Sequence, residues 1–363
     1  MGKPRLRDLG IAIGRYPVGP HNAITDVPGV LVGHRTLIRD GTSVARTGVT
    51  MVVPRDGKVH EDFVFAGYHS FNGCGEMTGL LWIEESGLLM SPVALTNTSQ
   101  VGLVRDCVTR YAVEKFDAAG YWLPVVAETW DGWLNDARTP HLTEEDVFAA
   151  IDSAASGPVS EGNVGGGTGM ICHDFKGGIG TASRLVETES GPHLLGALVQ
   201  TNYGERHTLR VDGVPAGREI GPERTPLPWP AAPLSSSIIV VIATDAPLLP
   251  GQCRSLAKRA TVGLARAGGV GLPFSGDLFL AFATGNHIPR SGRPEGGAAG
   301  LLALQMLAPD QMSALYEATA DLVEESILNA LLAAETMTGR EGHVAHALPI
   351  DALEEVMARH RPR

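Results

Sequence analysis

The sequence predicts an α+β fold, and three observations carry that expectation. Apolar, β-branched runs of strand length come in groups, with helical periodicities between and after them. No regular strand–helix–strand repeat runs along the chain, which argues against a doubly wound sheet. Glycine is abundant, at 45 residues, and sits in short polar-to-apolar transitions that read as tight turns. The 363 residues suffice for a large core, and nothing but one proline-rich loop resembles a linker, so residues 1–363 read as one domain.

The elements follow in chain order. Pro28-Gly29 marks a turn and Val30 to Val32 starts a strand, with a second strand over Thr47 to Val53. Phe71 to Gly79 is a glycine-spaced polar stretch leading into a helix over Leu80 to Ser86. Val93 to Thr96 is a strand, and Asn97-Thr98-Ser99 offers caps for a helix whose stripe is Val101, Val104, Val108, Tyr111 and Ala112. Leu123 to Glu128 is a strand ending in an acid. Thr143 caps a helix whose first turn holds Glu144, Glu145 and Asp146, which complement its dipole. Gly177 to Ser183 and His193 to Tyr203 read as paired strands. A helix runs from about Gln252 to Ala267, a strand over Phe274 to Thr284, a long helix with a one-sided stripe over 309 to 337, and a short helix over 350 to 360.

Composition excludes several classes. A net charge of −11 with no basic run argues against a nucleic-acid partner. No stretch approaches 18 uninterrupted apolar residues, so no membrane span is expected. Cys74, Cys107, Cys172 and Cys253 stand far apart without a C-x-x-C pair, which suits a reducing compartment, and a cytoplasmic location is expected. The twelve histidines include no paired metal spacing; His173 and His193 read as isolated, solvent-facing side chains, and no cofactor is expected. The glycine run Gly162 to Gly169 only loosely resembles a dinucleotide fingerprint, since no clean strand precedes it and no clear helix follows. Close packing or positive φ explains it better, and its amides could also line a polar pocket.

The stretch with most chemical content is Ser235-Ser236-Ser237 followed by Ile238 to Ile242. Proline-rich sequence from Gly221 to Pro233 precedes it and reads as an irregular connection, because proline cannot donate to a sheet ladder. The run after it reads as a buried strand. No G-x-S-x-G elbow nominates another serine, although the members of a Ser-His-Asp triad need not be neighbours. If the chain were cut before a serine, the new α-amine would sit on the same residue as the hydroxyl. Its pKa near 8 leaves roughly a tenth neutral at pH 7, able to accept the hydroxyl proton. Ser237 has both requirements legible in sequence: a rigid strand after it and an excisable loop before it.

Seven stretches in order resemble the family of L-aminopeptidases/D-amidases/D-esterases and β-peptidyl aminopeptidases, which are self-processing serine hydrolases. They are Ile24 to Val30, Asn72 to Gly79, Ala127 to Gly132, Asn163 to Gly169, Gln200 to Gly204, Ser237 to Leu248, and Ser275-Gly276-Asp277, and together they cover essentially the whole chain. The resemblance implies an αββα layered sandwich akin to the N-terminal-nucleophile hydrolases. It implies cleavage into an α chain 1–236 and a β chain 237–363, with Ser237 as nucleophile. Ser275 is implied to hydrogen-bond the nucleophile's hydroxyl or amine, Asp277 to orient that set, and Asn202 to donate to an oxyanion. Glu128 is implied to receive a substrate amino group, with Trp130 as a pocket wall. Substrates would be short peptides or amino-acid amides and esters, and the assembly a tetramer of α/β pairs.

Ser236 stands where the family has glycine, and glycine tolerates a strained scissile bond better. If Ser236 were itself the N-terminus, its side chain would face the other side of the strand. Two alternatives accompany the hydrolase: an acyltransferase resembling ornithine acetyltransferase, which uses threonine, and an unprocessed, non-enzymatic binding paralogue.

Overall fold

The computed structural model describes residues 3–116, 122–229, 236–291 and 300–360. Strands β1 (Leu31–Arg39) and β2 (Ala45–Val53) form an antiparallel hairpin, with Leu31 opposite Val53. β3 (Asp62–Gly73) leaves for a second sheet, and α1 (Leu80–Ser86) and β4 (Leu88–Leu89) follow. β5 (Val93–Asn97), α2 (Val101–Phe116) and β6 (Val125–Thr129) make a parallel pair joined by a helix. After α3 (Glu144–Asp152) comes a small hairpin, β7 (Ile171–Cys172) and β8 (Phe175–Lys176), then the long antiparallel pair β9 (Gly178–Thr188) and β10 (Gly191–Asn202). α4 (Ala216–Glu219) precedes a second parallel unit: β11 (Ser236–Thr244), α5 (Pro250–Arg266) and β12 (Ser275–Pro289). α6 (Met312–Ala333), the two-residue strands β13 (Met337–Thr338) and β14 (Val344–Ala345), and α7 (Ile350–His360) close the chain.

These elements stack in four layers. One sheet has the order β1-β2-β5-β6 and the other β4-β3-β12-β11-β10-β9. Helices α2 and α3 cover the first sheet, α5 and α6 the second, and the bare faces of both sheets meet in a shared core. This is the α+β, αββα architecture expected above. β11 lies at its centre, with all nine residues buried. Ile238, Val240 and Ile242 pack among the helices, whereas Ile239, Val241 and Ala243 pack between the sheets. Burial on both faces explains an unbroken apolar run where a half-exposed strand would alternate. Each branched side chain so buried stabilises by about 1.5–3 kcal/mol, enough to fix the register.

Local signals explain several boundaries. The Thr143 hydroxyl accepts from the Asp146 amide, and the Asp146 carboxylate accepts from the Thr143 amide, closing the start of α3 as a reciprocal cap. Asn97 Oδ1 accepts from the Gln100 amide at 3.1 Å and turns β5 into α2. In the glycine run, Gly165 has φ +51°, and a Cβ on Gly166 would stand 2.1 Å from Gln200 Oε1. Tight packing, with no strand–helix phosphate loop, accounts for those glycines.

Four expectations need correction. β3 stands where no strand is expected, and its last residues belong to the stretch read as a polar connection, because four consecutive buried residues, Val64 to Gly67, break its alternation; Gly67 sits where a Cβ would meet the Arg254 backbone nitrogen at 2.3 Å. β11 begins at Ser236, so Ser237 is its second residue. The long helix spans 312–333, and it is buried nearly all round, including Glu324, Glu325 and Asn329; Glu325 is held by Arg184 at 2.6 Å. His173 is fully buried beside Tyr203. Irregular chain does run from Gly221 to Trp229; Pro230, Pro233 and Ser235 lie outside the described residues.

Candidate active site

Asn202, Ser236, Ser237, Ser275 and Asp277 converge where β10, β11 and β12 lie side by side. Antiparallel pairing sets Asn202, the last residue of β10, opposite Ser237. Parallel pairing sets Ser275 beside Ser236, Gly276 beside Ser237, and Asp277 beside Ile238. Strand alternation then sorts the side chains onto two faces. Ser237 and Asn202 share the face of Ile239 and Gln200, toward the other sheet. Ser236, Ser275 and Asp277 share the face of Ile238, Val240 and Phe279, toward the helices.

Ser237 is 2% exposed. Its hydroxyl donates to the carbonyl oxygen of Ser236 at 2.5 Å and accepts from the Gly276 amide at 3.2 Å. This hydroxyl is thus parked against the Ser236–Ser237 peptide bond. The Ser236 amide donates to the Phe274 carbonyl at 3.3 Å, so residue 236 is held on its nitrogen side as well. Phe274 adopts φ +65°, an uncommon conformation for an aromatic residue, directly before Ser275.

Ser275 Oγ donates to Asp277 Oδ1 at 2.6 Å and lies 3.3 Å from Ser236 Oγ. In the intact chain its hydroxyl neighbour is therefore Ser236, and the Ser237 hydroxyl is met by the Gly276 amide instead. Burial pushes the Asp277 carboxyl up to about 6, against hydrogen bonds from the Ser275 hydroxyl and the Ile238 backbone that favour the anion. Asn202 Oδ1 accepts from the Ile171 amide at 2.9 Å, which fixes the side-chain amide of a residue that lines a pocket.

That pocket is lined by Trp130, Trp133, Trp229, Asn202, Tyr203, Ser236 and Leu272, among others. Trp130 is a wall of it, and a Cβ on Gly132 would stand 2.5 Å from the Trp130 ring, so glycine lets the indole lie flat. Glu128 is buried at the end of β6 and lies outside that lining. It accepts from the Glu76 amide at 2.9 Å and from the Thr98 hydroxyl, and burial raises its carboxyl despite both bonds. Only Gly75 separates it from Gly276: a Cβ on Gly75 would be 3.1 Å from Glu128 Oε1 and 3.2 Å from Gly276 Cα.

Sequence reasoning named the side chains here but missed the backbone groups that hold them, the amides of Gly276 and Ile171 and the carbonyl of Phe274. The glycine of Ser275-Gly276-Asp277 was their one visible trace. A Cβ there would stand 2.6 Å from the Cys74 carbonyl oxygen. Among the described residues no cluster of three His, Cys, Asp or Glu side chains could hold a metal. No helix among them is long and apolar enough to cross a membrane.

A strand-borne serine hydroxyl against a carbonyl, an amide side chain opposite it and a shielded carboxylate thus stand together on one sheet of an αββα sandwich. The chain belongs to peptidase family S58, whose pattern matches residues 22–345. It is 44% identical to the β-peptidyl aminopeptidase BapA of Sphingosinicella microcystinivorans, over 99% of this chain and 93% of that one. Among solved structures, a β-aminopeptidase of Burkholderia sp. superposes with a TM-score of 0.92 at 49% identity, covering 99% of this chain and 100% of the other. The L-aminopeptidase D-Ala-esterase/amidase of Ochrobactrum anthropi, described as a variant of the Ntn hydrolase fold, gives 0.91 at 43% identity and 99% of each chain. The protein is an aminopeptidase, acting on peptide bonds.

Proposed function

We propose that this aminopeptidase makes its own nucleophile, by cutting itself between Ser236 and Ser237, and that the single catalytic unit then works as chains 1–236 and 237–363. The observation that carries this is the Ser237 hydroxyl held 2.5 Å from the Ser236 carbonyl oxygen. In the cut, Ser237 Oγ bonds to the Ser236 carbonyl carbon, the C–N bond breaks, and the hydroxyl proton passes to the released nitrogen. Water then hydrolyses the resulting ester. Ser236 leaves with the α-chain end, so Ser275 Oγ loses a neighbour and faces the new α-amine. Asp277, as carboxylate, holds that hydroxyl in place.

Turnover repeats the chemistry on a substrate. The α-amine accepts the Ser237 hydroxyl proton as Oγ attacks the acyl carbon, and Asn202 Nδ2 donates to the oxyanion. The amine's proton goes to the leaving nitrogen, and water releases the acyl group by the reverse path. Glu128 receives the substrate's free ammonium, and Trp130 walls the acyl site. The substrates proposed are short peptides, amides and esters with a β-amino or small L-amino acyl end, supported by the names of the relatives at 44%, 49% and 43% identity. A cytoplasmic location agrees with four unpaired cysteines. Association of four α/β pairs completes the proposal, and light scattering measures it.

The decisive experiment is an intact-mass measurement with Ser237→Ala alongside, both assayed on β-alanyl and L-alanyl p-nitroanilide. Two fragments meeting at 236/237 in the native protein, and one inactive chain in the variant, are expected. A variant that still splits or still hydrolyses either substrate removes Ser237 from the mechanism. The relatives described above are hydrolases, and neither the acyltransferase nor the unprocessed binding protein has a counterpart among them.

A further inference from the structure

Lys176, in β8, is fully buried, and its ammonium meets no carboxylate among the described residues. Its Nζ donates to three backbone carbonyls: Gly177 at 2.8 Å, Met170 at 2.9 Å and Gly167 at 3.3 Å. Burial pushes the amine down to about 7, so these carbonyls are what the structure offers to keep it charged. A lysine costs several kcal/mol to desolvate without a counter-ion. An ordinary core would place methionine or leucine here.

The middle carbonyl is informative. The Met170 oxygen also accepts from the Gly177 amide at 2.9 Å, so two donors converge on it. The amide on the other side of the same peptide bond, that of Ile171, donates to Asn202 Oδ1 at 2.9 Å. The path therefore runs from the Lys176 ammonium through the Met170–Ile171 peptide to the side-chain amide of Asn202, a residue that lines the pocket. Every group along it is buried: Met170 and Lys176 completely, Ile171 at 4% and Asn202 at 6% exposure. Positive charge on a peptide oxygen draws density from its nitrogen and makes the N–H a stronger donor. That in turn polarises the Asn202 amide and makes Nδ2–H a stronger donor, and the low local dielectric preserves the effect.

We infer that Lys176 is a positioning residue for catalysis, fixing and polarising the oxyanion-binding amide of Asn202 through the Met170–Ile171 peptide. This rests on the reading of Asn202 as oxyanion donor. The lysine touches no substrate; its charge reaches the transition state through two aligned amides that need no reorientation.

A double-mutant cycle tests it, with β-alanyl p-nitroanilide as substrate and the self-cleaved enzyme as the species compared. Lys176→Met keeps the volume and removes the donors. It is expected to lower kcat about tenfold, a fraction of the ~100-fold carried by a direct oxyanion donor, with KM within about twofold. In an Asn202→Ala background the same substitution is expected to change kcat by less than about twofold, because the path then ends nowhere. A full second loss in that background, or a loss confined to KM, overturns the relay. Asn202→Ala with undiminished kcat instead overturns the oxyanion reading, a separate outcome. Lys176→Gln, which keeps a neutral donor, is expected to fall between native and Met variants and serves if Met costs the fold. In crystals of the native enzyme with a peptide aldehyde on Ser237, Lys176 Nζ is expected to stay bonded to the Met170 oxygen. Separation beyond hydrogen-bond range overturns the inference whatever the variants do.

Discussion

The two faces of the sheet at the start of β11 and β12 carry different chemistry on a handful of adjacent residues. Toward the other sheet stand a hydroxyl and an amide, Ser237 and Asn202, which can attack a carbonyl and bind its oxygen. Toward the helices stand two hydroxyls and a carboxylate, Ser236, Ser275 and Asp277, hydrogen-bonded among themselves. In the mechanism proposed above, the first group reacts and the second supports. Separation matters because a carboxylate beside the oxyanion would repel the charge that forms there, whereas behind the sheet it acts through Ser275 and the backbone. The Gly276 amide links the two groups, because a strand's side chains choose a face while its N–H groups lie in the sheet plane.

Substitutions on each side can break or sharpen that contrast. The largest effect is expected on the reacting face: Asn202→Ala should lower kcat on the order of 100-fold with little change in KM, as steady-state kinetics will read. An equal loss in KM and none in kcat would place Asn202 in ground-state binding instead.

Asp277→Asn should produce a smaller loss, about tenfold, and should separate activity from stability. Its carboxyl titrates near 6 in the fold and near 3.9 when unfolded, so the folded chain holds the proton more tightly. The charged form therefore costs stability, fully above pH 6 and not at all below about 4. Urea unfolding at pH 7 should show Asp277→Asn equal to or more stable than native, by up to ~3 kcal/mol, with the gain vanishing toward pH 4. Native activity should instead fall as pH drops through about 6, and that limb should be missing in the variant. A variant both less active and less stable at pH 7 would make Asp277 a structural ion.

The smallest effect is expected from Ser236→Gly. Self-cleavage should quicken a few-fold, because glycine relieves the backbone at the scissile bond. The kcat per mature site should stay within about twofold, since residue 236 departs with the α chain. A changed kcat after complete processing would keep residue 236 within the supporting face.

Much of this was legible in sequence. The branched run after Ser237 announced a buried strand because burial on both faces selects Ile and Val wherever it occurs. Thr143, Asn97 and the glycine run declared caps and tight packing through local geometry. β3 was hidden because its inner four residues lack alternation, and His173 because nothing local marks a histidine that a β-turn folds under Tyr203. That Ser275 and Asp277 share one face follows from their two-residue spacing on a strand. That Ser275 meets Ser236 in the intact chain was a matter of register between strands almost forty residues apart.

The sequence by itself therefore determined the kind of layers, the strand at their centre and the polar residues at its start, because these follow from short-range periodicity and side-chain chemistry. Only the tertiary structure decided which layer each face of the strand meets, which backbone amides meet Ser237 and Asn202, and that a buried lysine stands two hydrogen bonds behind Asn202. Those depend on register and on close approach between distant segments, and no local pattern in one chain encodes them.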